Sequence, residues 1–365
     1  MPTKQRLLSL DTLRGFDMFW IIGGDLLFRK LGEVTNWPWA VAWANQMDHV
    51  PWAGFHAYDL VFPLFMFISG VAIPFAISKK MEQGVSKYVL YKKVFFRAII
   101  LILLGLVYNG LLDFDFKTLR YASVLGQIGL AYLIASILAI NTMSFKARLA
   151  WFIGILAGYL AIQLFVPVPG FGAGHLTPSG SINSYIDSLF LPGRMYGKTF
   201  DPEGLLCILS ASAITILGVL AGQVLQLNRV SGYKKVGILA AFGGILVSSA
   251  LLVENYYPFI KAAWTSSFNL LAGGLSLLIL SLFYLIIDVL NFHRWTFFFR
   301  VIGLNSITIY MVTRIVDFRP FSEFFFHGTA GLFSGYGPIV ILLGILLLEW
   351  LLLYFLYKRS IFLKI

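Results

Sequence analysis

Between Met47 and Asp59 the chain reads MDHVPWAGFHAYD, which places Asp48, His49, His56 and Asp59 within one short stretch. Imidazole has an unperturbed pKa of about 6.5, so a histidine here can act as a general base near neutral pH. A neighbouring carboxylate can fix its tautomer and stabilise the imidazolium. Asp25, Asp48 and Asp59 are the candidate carboxylates. Asp59 has a second reading, because it precedes the apolar run LVFPLF and can cap the backbone N–H groups that open a helix. His56 carries no further pattern and reads as structural. No histidine pair has the H-x-x-x-H spacing of a helical metal site. The single cysteine, Cys207, excludes an internal disulfide and a multi-cysteine site. No metal is expected.

These groups stand at the mouth of a membrane. Of 365 residues 59% are hydrophobic and only 12% are charged, about half the charge of a soluble domain. A hydrocarbon core of about 30 Å takes about 20 apolar residues per helix. Such runs recur at roughly 8–28, 57–78, 94–112, 121–140, 149–166, 203–226, 236–254, 265–288, 297–316 and 336–357. The expected fold is therefore all-α and polytopic, with ten transmembrane helices in a single domain over 1–365. The first run carries Asp11, Arg14, Asp17 and Asp25, unlike the compact apolar region of a removable signal peptide.

Lysine and arginine set the orientation. With the N-terminus inside, the inner segments hold sixteen, Lys4, Arg6, Lys79 and Lys364 among them, and the outer segments hold eight. Both termini are thus expected in the cytoplasm. This bias accounts for much of the net charge of +11, so no nucleic-acid partner is expected. Membrane lipids are, since 29–56 contains NWPWAVAWANQ, whose tryptophans suit headgroup depth. The connection 167–202 is rich in Pro, Gly and Ser and reads as a long irregular loop. His175 and His327 fall on outer connections and read as structural or substrate-facing. The oligomeric state is open, a homodimer included.

The first run repays a helical projection. At 100° per residue, Asp11, Arg14, Asp17 and Asp25 fall within an arc of about 120°. Charges inside a span nearly always face a bundle interior or a wet cavity. Asp11 and Asp17 can neutralise Arg14 at i,i+3 spacing. Asp25 finds no partner inside that span, and His49 or Lys261 is the expected one.

Several stretches resemble one family. SLDTLRGFDMFW and HVPWAGFHAYDLVFPLFMFISGVAI are similar to the membrane part of heparan-α-glucosaminide N-acetyltransferases and their bacterial homologues. PVPGFGAGHLTPSGSI, TFDPEGLLCILSASAITILGVLAGQVL, FIKAAWTSSF and GLNSITIYMV continue the likeness in order. D-x-L-R-G alone also resembles envelope sugar O-acyltransferases. The resemblance implies acetyl transfer from cytoplasmic acetyl-CoA to an amino-sugar across a bacterial inner membrane. It maps the catalytic histidine of an H-x-x-W-x-G motif onto His49, with Trp52 and Gly54. Asp25 stands where the family has a catalytic asparagine. That is a departure, because an ionised aspartate only accepts hydrogen bonds.

On this reading His49, Asp25 and Asp59 are catalytic, and Trp52, Asp48, Lys261 and Trp264 bind the acceptor. Arg14, Arg97 and Arg300 hold the phosphates of CoA or anchor at the interface by snorkelling. Asn305, with Asn109, Gln127 and Asn269, lines the donor channel or joins helices. Two rivals share the sequence: an amino-sugar transporter, whose charges would bind solute or protons, and an O-acyltransferase of an envelope glycan.

Overall fold

The ten expected runs are helical over most of their length in the computed structural model, which describes residues 7–333 and 335–363, the side chains of Ser78 and Lys79 excepted. Lys4, Arg6 and Lys364, and the Lys79 side chain, which entered the inside assignment, lie outside the described residues. The first eight helices are α1 (Leu8–Phe19), α2 (Asp25–Thr35), α3 (Pro38–Gln46), α4 (Val61–Ile73), α5 (Lys79–Glu82), α6 (Lys87–Tyr108), α7 (Val124–Asn141) and α8 (Phe145–Phe165). There follow α9 (Ile182–Phe190), α10 (Leu205–Leu225), α11 (Gly232–Val253), α12 (Ser266–Tyr284), α13 (Thr296–Gly303), α14 (Ser306–Ile315), α15 (Arg319–Leu332) and α16 (Gly337–Lys358). Among the described residues there is no β-sheet, only two isolated bridges.

Seven helical segments are long and apolar enough to cross a membrane: Ala57–Glu82, Val124–Asn141, Phe145–Phe165, Leu205–Leu225, Gly232–Val253, Ser266–Val289 and Gly337–Lys358. α13 and α14, bent by 69°, make an eighth if they form one broken span. The chain is a multi-pass membrane protein. The runs expected at 8–28 and 94–112 coincide with helices rich in charge: Asp11, Arg14, Asp17 and Asp25 in one, Lys92, Lys93 and Arg97 in the other.

Three expectations about the connections are corrected. Residues 29–56 are mostly helical, because α2 continues to Thr35 and α3 follows. The connection 167–202 contains α9, capped by Ser181, whose hydroxyl accepts from the Ser184 N–H. The segment after 316 forms α15. All three are short or polar, so hydropathy passes over them.

The chain divides into two compact units. Among the described residues, the first comprises Leu7–Val50, His56–Val61 and the chain from Leu282 to Leu363. In it α1 and α13 cross through Gly15 and Gly303; a Cβ at Gly15 would overlap the Phe299 carbonyl, so only glycine permits the approach. α2 and α3 form a hairpin with Gly32 set against Ala40 and Ala44. α15 packs on α16, where the Ser322 hydroxyl donates to Ile341 O at 2.7 Å. α1 does not run straight into α2. A π-helical turn, Trp20–Gly24, joins them, and Gly23 takes φ 132°. Regular angular spacing therefore fails before Asp25, and the single stripe projected from sequence is broken.

The second unit comprises Pro51–Phe55 and Phe62–Ser281. α10 is its most enclosed helix; Gly218 meets the Phe67 carbonyl of α4. Arg148 closes the end of α7, donating to Ala139 O and Thr142 O at 2.8 Å each. That contact satisfies carbonyls a helix C-terminus leaves open.

Candidate active site

The α2–α3 hairpin is what brings His49 back towards Asp25. Asn36 turns the chain with φ 53°, and Pro38 starts α3 at a position where its missing N–H costs nothing. The chain leaving α3 then runs beside Arg29, one turn beyond Asp25 on α2. The Arg29 guanidinium donates to Met47 O through Nε at 3.0 Å and Nη2 at 2.6 Å. It pairs with Asp48 at 2.8 Å and with Asp25 at 3.4 Å, and lies 5.7 Å from the centre of the Tyr58 ring. Asp25 thus has a partner in its own helix, contrary to expectation. The expected span stopped at residue 28, which left Arg29 counted as a loop charge. The Asp25 carboxylate is also within electrostatic reach of His49.

His49 Nδ1 lies 2.7 Å from Asp59 Oδ1. The carboxylate only accepts, so Nδ1 carries a proton, and in the neutral ring the lone pair is on Nε2. Asp59 is enclosed, with its side chain 1% exposed, whereas that of His49 is 47% exposed. The other carboxylate oxygen, Oδ2, accepts the His56 backbone N–H at 3.0 Å. Asp59 therefore does both things the sequence offered: it caps the turn Ala57–Leu60 and it orients the histidine. Tyr58 lays its ring 4.9 Å from the imidazole. His56 is structural, its Nδ1 bonding to Asp48 O at 2.9 Å. A half-exposed imidazole oriented by an enclosed carboxylate can accept a proton from a bound nucleophile and pass it on.

Trp52 and Gly54 belong to the second unit and are held there independently. The Trp52 indole donates to Leu176 O at 2.7 Å, and its ring meets Phe200 edge-on at 4.9 Å. The Gly54 N–H donates to Phe259 O at 2.8 Å with φ 122°, a left-handed conformation that favours glycine.

Other expected residues sort as follows. Asp48 and Asp25 join the His49 cluster through Arg29. Lys261 is partly exposed in the turn Lys261–Ala263. Trp264, expected against the acceptor, is 1% exposed and donates its N–H to Pro202 O; its ring is a packing element of that turn. Arg14 pairs with Asp11 at 3.7 Å, not with Asp17. Arg97 lies over the Tyr132 ring at 4.2 Å. Arg300 is on α13, with its Nε enclosed and without a hydrogen-bond partner. Asn305, expected to line a channel, instead holds the chain after α16, donating to Ile361 O at 3.0 Å and accepting from the Leu363 N–H at 3.3 Å. Among the described residues, no three His, Cys, Asp or Glu side chains are grouped to hold a metal. Arg29 and Tyr58 are the participants that sequence reasoning missed. The i,i+4 spacing of Arg29 from Asp25 was the available signal.

No family model matches the chain. Two curated proteins do. The mouse heparan-alpha-glucosaminide N-acetyltransferase is 25% identical over 371 residues, covering 86% of this chain and 54% of the mouse protein. The human heparan-alpha-glucosaminide N-acetyltransferase is 27% identical over 365 residues, covering 84% of this chain and 52% of its own length. The chain spans about half the length of these relatives. Most of the length of this multi-pass membrane chain is thus similar to two heparan-alpha-glucosaminide N-acetyltransferases.

Proposed function

We propose that the chain is a membrane acetyltransferase that moves acetyl from cytoplasmic acetyl-CoA to the amine of an amino-sugar at the opposite face. On this reading it crosses a bacterial inner membrane ten times, forms one catalytic domain and keeps both termini in the cytoplasm. His49 is the general base. It takes a proton from the acceptor amine as nitrogen attacks the thioester carbonyl; the C–S bond breaks, and CoA leaves as the thiol after gaining a proton. Asp59 fixes the tautomer that presents Nε2 and stabilises the imidazolium. Arg29 holds Asp48 and the Met47 carbonyl, and so the backbone leading into His49. Trp52 forms part of the acceptor wall, with Lys261 nearby in sequence to Trp264. Arg14, Arg97 and Arg300 are the candidate contacts for CoA phosphates.

One observation carries the reading: the 2.7 Å contact between a half-exposed imidazole and an enclosed carboxylate, in a chain related to N-acetyltransferases. The test uses purified protein in lipid, labelled acetyl-CoA and glucosamine, with the product identified by mass spectrometry. An N-acetylated sugar that resists alkaline hydrolysis supports the reading. An alkali-labile ester would assign O-acylation, and uptake of unmodified sugar without label transfer would assign transport.

A further inference from the structure

One guanidinium serves two carboxylates at the start of α10. Arg120 donates to Asp201 through Nε at 2.8 Å and Nη2 at 2.5 Å, and also pairs with Glu203. Its side chain is 14% exposed, and those of Asp201 and Glu203 are 0% and 10%. The backbone around the cluster is tightly held. Asn109 donates to Arg120 O and Ala122 O at 2.8 Å each, and the Tyr196 and Glu203 N–H groups donate to Asp201 at 3.0 Å. The Tyr196 ring lies 5.0 Å from the guanidinium. Both flanks of Asp201 lead to groups already described. Phe200 contacts Trp52, and Pro202 O accepts the Trp264 N–H.

We propose that Glu203 is a protonation-sensitive positioning residue for the Trp52 wall, closing the Arg120–Asp201 clamp when neutral and loosening it when ionised. Two carboxylates that share one cation in an enclosed site cannot both ionise without mutual repulsion. A neutral Glu203 can instead donate its O–H to Asp201. Burial pushes the Glu203 carboxyl up to about 7; Arg120 opposes this and Asp201 reinforces it. Asp187 and Cys207 lie beside the pair, and burial likewise raises Asp187 to about 6. A folded pKa above the ordinary value of 4.5 means that closure is favoured at low pH. It is lost as pH rises towards 7, by up to about tenfold per pH unit, and levels off above that.

The consequence for the acceptor rests on the acetyl-transfer reading, whereas the clamp does not. The test is hydrogen–deuterium exchange of the full chain in lipid nanodiscs, following 194–204 with rates corrected for intrinsic pH dependence. Between pH 6 and 7 the wild type is expected to lose up to about tenfold in protection, and Glu203→Gln, whose amide still donates to Asp201, is expected to stay flat. Asp187→Asn is expected to keep the wild-type loss. A wild type that stays flat, a Glu203→Gln that declines like it, or a decline abolished by Asp187→Asn would each overturn the proposal. In the acetyl-transfer assay, the wild-type acceptor KM is expected to rise relative to that of Glu203→Gln over the same range, with kcat unchanged. Exchange that behaves as expected without acetyl transfer would leave the clamp standing and remove the functional reading. Transfer without the exchange change would remove the clamp alone.

Discussion

The His49–Asp59 pair and the Arg120–Asp201–Glu203 clamp use similar parts for opposite ends. In the first, one enclosed carboxylate orients a half-exposed imidazole. In the second, two enclosed carboxylates surround a cation that cannot give up its proton. The difference lies in exposure and stoichiometry. A single carboxylate on a titratable ring yields a group that can exchange protons with a substrate. Two carboxylates on a guanidinium yield a closed cluster in which the only mobile proton sits on a carboxyl. The first arrangement suits chemistry and the second suits holding.

That contrast breaks first at His49. His49→Ala is expected to reduce acetyl transfer by about 10²–10⁴-fold, the usual contribution of a positioned general base. CoA binding, followed by calorimetry, is expected to persist. Activity within a few-fold of wild type would remove the imidazole from the reaction. Asp59→Asn comes next, at roughly 10²-fold or more, because an amide can donate to Nδ1 and favour the wrong tautomer. The pH dependence of kcat is the sharper measurement: it should change in Asp59→Asn and stay as in the wild type in Glu203→Gln.

Arg29 tests whether the first region is held as rigidly as the second. Arg29→Gln removes the contacts to Met47 O, Asp48 and Asp25 together. A loss of about 10–10²-fold in kcat is expected, since small displacements of a catalytic group are costly. Asp25→Asn should cost less, within about tenfold, because the 3.4 Å pairing is long for a hydrogen bond and Arg29 keeps its closer partners. A larger fall would mean that the carboxylate charge itself enters the reaction.

How far these regions could be read from sequence follows from the range of the forces involved. Hydrophobic runs announce helices, so the seven long apolar segments were all legible. The amphipathic or polar pieces were not: α3 is a short tryptophan-rich helix, and α9 sits in a Pro/Gly/Ser-rich stretch. The His49–Asp59 pair was visible as a possibility, because the residues are ten apart and an orienting carboxylate stood beside the capping reading; Asp59 makes both contacts. Arg29 was hidden by where the apolar run stops, since hydrophobicity ends at the membrane surface while hydrogen bonding carries α2 another two turns. The Arg120 clamp joins residues about eighty apart. No local periodicity encodes such a contact, and only tertiary folding reveals it.

The smallest expected effect concerns how the H-x-x-W-x-G segment is fixed. Gly54 adopts φ 122° while its N–H donates to Phe259 O. A Cβ there forces either strain or a backbone rotation that breaks the bond. Gly54→Ala is therefore expected to destabilise the fold locally by about 1–3 kcal/mol. Trp52, two residues away, has its own anchor at Leu176 O, so the disturbance should stay between 53 and 55. Exchange should quicken there, acceptor KM should rise a few-fold, and kcat should hold. If kcat fell as far as in Arg29→Gln, the backbone of Gly54 would have to act on the reacting groups themselves, and the division between a chemical region and a holding region would fail.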